Sequence, residues 1–193
     1  MPKPSLKEKL LEEGLKVVLA QGYIGASVRD IVRAADVPLG SFTNHFGSKE
    51  EFARQVLDRY FAAASETIGK TLRDDSVSPL ARLRNWLDAQ VDFLKQSGFR
   101  SGCLIGNFST EASGQSDSIR DRLREMTRCI EGEIAACLRA AADAGEIPKT
   151  ADVDSLAGFI YSSWQGAVLQ AKVEQSSEPL ERFKTVLFSY LPR

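Results

Sequence analysis

Apolar residues recur every three or four positions along nearly the whole chain, and the stripes they form are bounded by helix caps and breakers. Leu6, Leu10, Gly14, Val17 and Val18 trace the first stripe, behind a capping box at Ser5 and Glu8 and ahead of a glycine stop at Gly22. Val28, Ile31, Val32 and Ala35 give a short second helix one buried face, with Ser27 and Asp30 as its capping box. Pro38 cannot continue a helix and biases Val37 toward extended backbone, so the chain turns there. From Leu39 a third short helix sets Phe42 and Phe46 on one side and leaves Ser41, Thr43, Asn44 and His45 facing outward. Ser48 starts a fourth helix through Phe52, Val56, Leu57, Tyr60 and Phe61, ending near Leu72.

After a polar connection, Pro79 opens the next helix at a position where its missing N–H costs nothing, and Leu80, Leu83, Leu87, Val91 and Leu94 follow. A long helix spans Ser118 to Ala144, closed by Gly145, with Ile119, Leu123, Met126, Ile130, Ile134 and Leu138 as its stripe. Asp152 caps a helix in which Leu156, Phe159, Ile160, Ser163, Ala167 and Ala171 share a face. Leu180, Phe183, Leu187, Tyr190 and Leu191 mark the last. No strand alternation, glycine-rich phosphate loop or internal repeat competes, so the expected fold is all-α.

Two short capped helices around a tight turn, followed by a third, are the grammar of a helix-turn-helix DNA reader. Its outward polar residues suit phosphates and base edges, though any solvated helix face carries similar ones. The net charge of -1 removes any global basic bias, so DNA contact would need a local patch. Lys3, Lys7, Lys9, Arg29, Arg33 and Lys49 can supply one, diluted by Glu8, Asp30 and Asp36. No apolar run reaches membrane-spanning length and the N-terminus lacks the apolar core of a signal peptide, so the expected location is the cytoplasm.

Cys103, Cys129 and Cys137 match no zinc spacing and read as free thiols, with Cys129 and Cys137 as core filling on one face of the long helix. His45 is the single histidine, which excludes a histidine-based metal centre or general base elsewhere in the chain. No metal, cofactor or catalytic residue is expected. The stretch Gly98 to Ala112 groups small and apolar residues around Cys103, with Arg100 beside it and Asn107 and Glu111 one helical turn apart. A cysteine near a helix start and a cation is a candidate reactive thiol, and equally a buried structural one. Trp86, Phe93, Phe108, Tyr161 and Trp164 are candidate pocket walls, or plain core.

The run Gly40, Phe42, Thr43, His45, Phe46, Ser48 and Lys49 resembles the DNA-reading end of the TetR family of transcriptional repressors. Thr43 stands where the family usually has a tyrosine that contacts a DNA phosphate. Arg100-Ser101-Gly102-Cys103-Leu104 with Gly106-Asn107 resembles the branch that includes electrophile-responsive and acrylate-responsive members. Trp164-Gln165-Gly166-Ala167, Gln170-Ala171-Lys172 and Glu178-Pro179-Leu180 extend the agreement over nearly the whole chain. The resemblance implies a helix-turn-helix domain over residues 1–49 and a helical effector-binding and dimerisation domain over residues 50–193. It implies contacts from Ser27, Arg29, Leu39, Gly40, Ser41, Thr43, Asn44, His45 and Lys49 to a pseudo-palindromic double-stranded operator. It implies an effector site among Trp86, Phe93, Cys103, Asn107, Phe108, Tyr161, Trp164 and Gln165. The partners implied are that operator, a small-molecule effector and a second copy of the chain, paired through the last two helices. In the branch, the matching cysteine is implicated in sensing in some members, while others bind a small carboxylate without covalent chemistry. The expected function is therefore a repressor released by a small electrophile or small unsaturated acid acting near Cys103. Two other classes stay open: a cysteine-dependent enzyme using Cys103, and a helical interaction module without DNA binding, prompted by Thr43.

Overall fold

A computed structural model describes residues 5–191, and its regular elements over those residues are all helices. In chain order they are α1 (Leu6–Gly25), α2 (Val28–Ala34), α3 (Leu39–His45), α4 (Lys49–Lys70), α5 (Pro79–Gln96), α6 (Leu104–Glu111), α7 (Asp117–Asp143), α8 (Val153–Glu174) and α9 (Glu178–Tyr190). The expected all-α class is the observed one. Lys3 lies outside the described residues.

The caps explain most of the boundaries. Ser5 Oγ accepts the Glu8 N–H at 3.2 Å, Ser48 Oγ accepts the Glu51 N–H at 3.0 Å, and Asp152 accepts the Ser155 N–H at 3.1 Å. Ser27 and Asp30 form the complete reciprocal box. Gly22 takes the left-handed φ of 77° where the sequence places a stop, and one further turn follows it. The turn assigned to Pro38 is closed slightly earlier. Asp36 adopts φ 49°, its N–H reaches the Arg33 carbonyl, and the Val37 N–H reaches the Val32 carbonyl, both at 3.1 Å. This paired closure ends α2, and Pro38 then serves as the N-terminal flank of α3.

The chain forms two compact units. One contains the chain through Ala63 together with Cys103–Arg124; the other contains Ala64–Gly102 and the chain from Glu125 onward. In the first unit α1 packs on α2, α3 and α6. Its centre is an aromatic triad: the Phe42 ring lies 5.1 Å from Phe46 and 5.3 Å from Phe52, and Phe46 lies 5.1 Å from Phe52. Leu10, Leu11, Gly14 and Val18 form the buried side of α1, whereas Leu6, expected in that stripe, is half exposed. Its place one residue into the helix leaves it past the edge of the core.

In the second unit α9 packs on α8 and α5. Trp164 meets Phe183 at 5.4 Å, and Ile134, Leu138, Leu83, Leu87, Ile160 and Leu180 are fully buried. Lys184 is buried and pairs with Asp88 and Glu181. Burial opposes its charge, but hydrogen bonds from its ammonium to the two carboxylates hold its pKa above the ordinary lysine value. Cys137 is buried and its Sγ donates to the Pro79 carbonyl at 3.1 Å, but Cys129 is exposed, against expectation. Eight residues at 3.6 per turn leave two side chains about 80° apart. That is enough to carry Cys129 off the buried face that holds Cys137.

Candidate functional site

The reader is built from α2, the Asp36 turn and α3. Phe42 and Phe46 anchor α3 inward, which turns Leu39, Gly40, Thr43 and Asn44 to solvent. Those four positions follow an i, i+1, i+4, i+5 pattern and form one continuous face. A side chain built on Gly40 would meet open space, so nothing in the chain's own packing requires glycine there. Thr43 is exposed, and its hydroxyl donates to the Gly40 carbonyl at 3.0 Å. His45 is partly exposed and stands edge-on to Phe46. Ser41 is a correction: expected outward, it is buried at 9% exposure. It precedes Phe42 and lies one turn before His45, on the flank of the helix that faces the core rather than on the Leu39–Asn44 face.

The remaining candidate contacts border this face. Arg29 is exposed on α2. Ser27 is engaged in its cap, its Oγ accepting the Asp30 N–H, and the bonds that its hydroxyl and its N–H give the Asp30 carboxylate hold that carboxyl below its ordinary value. Arg33 sits 3.5 Å from Asp30. Lys7 lies 5.8 Å from the Phe46 ring centre. Lys49 is only half exposed: its Nζ stands 4.7 Å over the Tyr23 ring and donates to the Ile24 carbonyl at 3.4 Å. Burial pushes its pKa down, partly offset by the Glu111 carboxylate.

Cys103 is the N-terminal flanking residue of α6, half-buried, with its carbonyl accepting the Asn107 N–H at 2.9 Å. The Tyr60 hydroxyl of α4 donates to its sulfur at 3.8 Å. Phe108, one helical turn beyond Leu104, is fully buried and packs on Tyr23 at 5.2 Å. Of the other expected effector residues, Trp86 and Phe93 lie on α5 and Tyr161, Trp164 and Gln165 on α8, all in the second unit. Trp86, Tyr161 and Trp164 are buried, while Phe93 is 37% exposed. Among the described residues no group of three His, Cys, Asp or Glu side chains is placed to hold a metal ion, and no helix is long and apolar enough to cross a membrane.

Comparison with known proteins decides the family. Residues 10–56 match the domain of bacterial regulatory proteins of the tetR family, and residues 79–187 match a tetracyclin repressor-like C-terminal domain. The chain belongs to the TetR family of transcriptional regulators. It is 42% identical to the HTH-type transcriptional repressor DhaR of Mycobacterium sp. (strain GP1) over 99% of this chain and 94% of that protein. The crystal structure of the regulatory protein TetR from Rhodobacter sphaeroides superposes with a TM-score of 0.92 at 32% identity, covering 96% of this chain and 99% of the other. The reduced form of NemR from E. coli superposes with a TM-score of 0.85 at 28% identity, covering 94% of each chain. As a TetR-family repressor the protein is a regulator and not an enzyme, so the enzymatic reading of Cys103 is set aside.

One feature of this TetR-family chain lies outside the main apolar stripes of its helices. Phe159, Leu169 and Val173 on α8 are 62–79% exposed, and Ser162 and Gly166 lie exposed between them. The spacing 159, 162, 166, 169, 173 alternates three and four and so forms one seam along the exposed side of α8. Val186 and Tyr190 on α9 are also exposed, at 52% and 70%. Phe159 and Tyr190, whose spacing predicts a place in the buried stripes of their helices, are thus exposed. Val186 and Tyr190, together with Phe159, Leu156 and Ile147, line a groove of about 530 Å³. The detectable signal was a second apolar stripe on helices that already had one.

Proposed function

We propose that the protein is an effector-responsive repressor that binds a pseudo-palindromic operator as a homodimer. Its release is triggered by a small electrophile or small unsaturated acid acting near Cys103. The observation that carries this reading is the position of Cys103 at the start of α6, the helix that packs on α1 beside the DNA reader. A ligand or adduct at that end changes the surroundings of a helix that packs on α1, and α1 in turn packs on the reader's α2 and α3. It releases DNA only if it binds the released conformation more tightly than the operator-bound one.

Dimerisation through the exposed seams of α8 and α9 sets two α3 helices against one duplex. Half-sites one helical turn apart, about 34–36 Å, suit two such helices in successive major grooves. The face Leu39, Gly40, Thr43 and Asn44 reads the groove, with His45 at its edge and Ser27, Arg29 and Lys49 toward the phosphates. The functional division falls near Lys49, with residues 1–49 reading DNA and residues 50–193 binding effector and partner. Trp86, Phe93, Asn107, Phe108, Tyr161, Trp164 and Gln165 are the residues proposed to shape the effector response. A protein acting on chromosomal DNA in a bacterium works in the cytoplasm.

The test follows operator release and thiol mass together. Protein bound to a duplex from the DNA flanking its own gene is exposed to a small electrophile, and Cys103→Ser is treated alongside. Release with a mass increase on Cys103, absent from Cys103→Ser, supports the covalent version. Release that persists unchanged in Cys103→Ser excludes it and leaves the non-covalent acid. Binding no tighter than to random DNA at the same salt sinks the repressor reading itself.

A further inference from the structure

Three consecutive residues at the end of α1 are held by α6. The Glu111 carboxylate occupies the space that a side chain on Gly22 would fill. The Phe108 ring packs on Tyr23 at 5.2 Å. Glu111 Oε2 accepts the Ile24 N–H at 2.9 Å, a contact between residues 87 apart in sequence. From the other side, Lys49 Nζ reaches the Ile24 carbonyl at 3.4 Å and lies 4.7 Å over the Tyr23 ring. The two backbone groups of one residue are thus held by opposite charges from two different helices, α6 and α4.

The place of this clamp matters. Gly22, at φ 77° and ψ 171°, breaks α1, so Tyr23 to Gly25 form a short piece without an uninterrupted helix ladder behind it. Ala26, fully buried, and Ser27 follow directly, and Ser27 is the cap of α2. The segment held at Ile24 therefore fixes where α2, and through the Asp36 turn α3, begins. The Ile24 side chain is 60% exposed, so packing of that side chain contributes little to the restraint. The restraint comes from the peptide's hydrogen bonds, and a hydrogen bond to a charged acceptor is among the stronger ones.

We propose that Glu111 is the positioning residue through which α6 sets the pose of the DNA reader, by holding the Ile24 peptide together with Lys49. This deepens the repressor reading and rests on it. With the clamp closed, the α1–α2 corner is held in one arrangement. A shift of α6 that withdraws Glu111 leaves the Ile24 N–H to water and removes the carboxylate that favours the Lys49 charge. Lys49 is then free to leave Ile24, and the corner loosens.

The sign of the effect separates this role from a charge effect. Removing a carboxylate near a DNA-binding surface ordinarily strengthens DNA binding, because repulsion from phosphate is lost. The clamp predicts the opposite. Glu111→Ala is expected to weaken binding to the operator duplex about tenfold and to speed Ile24 amide exchange at least tenfold, with exchange at Ile31 and Val56 unchanged. Glu111→Gln, whose amide oxygen still accepts the Ile24 N–H, is expected to stay within about threefold of wild type in both. Glu111→Ala that binds operator as well as wild type, or better, overturns the proposal, as does unchanged Ile24 exchange. Glu111→Gln as impaired as Glu111→Ala overturns the hydrogen-bond basis. If wild type fails to bind the duplex, the repressor reading fails on that measurement, while Ile24 exchange still decides whether Glu111 holds the corner.

Discussion

The Phe52 ring stands in the space that a side chain at Gly14 would fill, so α1 and α4 approach each other through a missing Cβ. Alanine at position 14 would also press on Ile31 Cγ2, 3.2 Å away. Alanine favours a helix interior over glycine by about 1 kcal/mol, but overpacking a filled core costs about 1–3 kcal/mol. Phe52 is buried at 1% exposure and is itself wedged against Phe42 and Phe46, so it cannot swing aside. The clash wins. Gly14→Ala is expected to lower stability by about 1–2 kcal/mol in urea unfolding, and an unchanged or raised midpoint would contradict this packing.

Ser41 and Asn44 are three residues apart on α3, one buried and the other exposed. Asn44→Ala is expected to weaken operator binding by about 1–3 kcal/mol, roughly fivefold to 150-fold. Ser41→Ala should leave affinity within about twofold. Fluorescence anisotropy with the operator duplex, at matched salt, compares the two. Equal losses with both variants folded would mean that Ser41 turns outward on DNA.

The three cysteines should label in an order set by burial. Cys129 is exposed, Cys103 half-buried and Cys137 buried, and burial pushes the Cys137 thiol up to about 11, with Arg82 partly offsetting it. Iodoacetamide at pH 8 is expected to modify Cys129 first and to leave Cys137 untouched until denaturant is added, as read by peptide mass. The raised thiol also fixes a sign. Its contribution to stability is complete below its ordinary value of 9.0 and is lost as pH rises toward about 11. The stability difference between wild type and Cys137→Ala should therefore be constant below pH 9 and shrink above it.

A charge in the exposed α8 seam should separate the two copies. Leu169→Asp is expected to sediment as a monomer with unchanged helicity, and to bind the full operator far more weakly than wild type. A dimer that survives this change would place the interface elsewhere.

The elements themselves were legible because their signals are local. Ser5, Ser27, Ser48 and Asp152 each accept from a backbone N–H three residues on, and Gly145 takes a positive φ at the stop it marks. Orientation was less legible. A seven-residue α3 makes two turns, too few for two phenylalanines to fix which flank holds Ser41. Cys129 left the core by rotation that accumulates over eight residues. Phe159 and Tyr190 sit at helical spacing and look like core, because spacing alone does not say whether the apolar surface it meets belongs to the same chain. The Glu111 contact to Ile24 bridges 87 positions and leaves no periodic trace at either end. Among the candidate site residues, Leu39, Gly40, Thr43 and Asn44 do share one face, whereas Lys49 carries contacts to Tyr23 and Ile24 that a motif match does not anticipate.

Gly166 stands in the middle of the α8 seam with open space beyond it, and its exposed neighbour one turn back is the small Ser162. In the proposed pairing through α8, two copies would bring their backbones closer at that point than larger side chains permit. A related regulator in the same cell with bulk at the corresponding position would be held off by its own side chain. On the proposed pairing through α8, the gap at Gly166 and Ser162 would favour a second copy of this chain over a relative that carries bulk there.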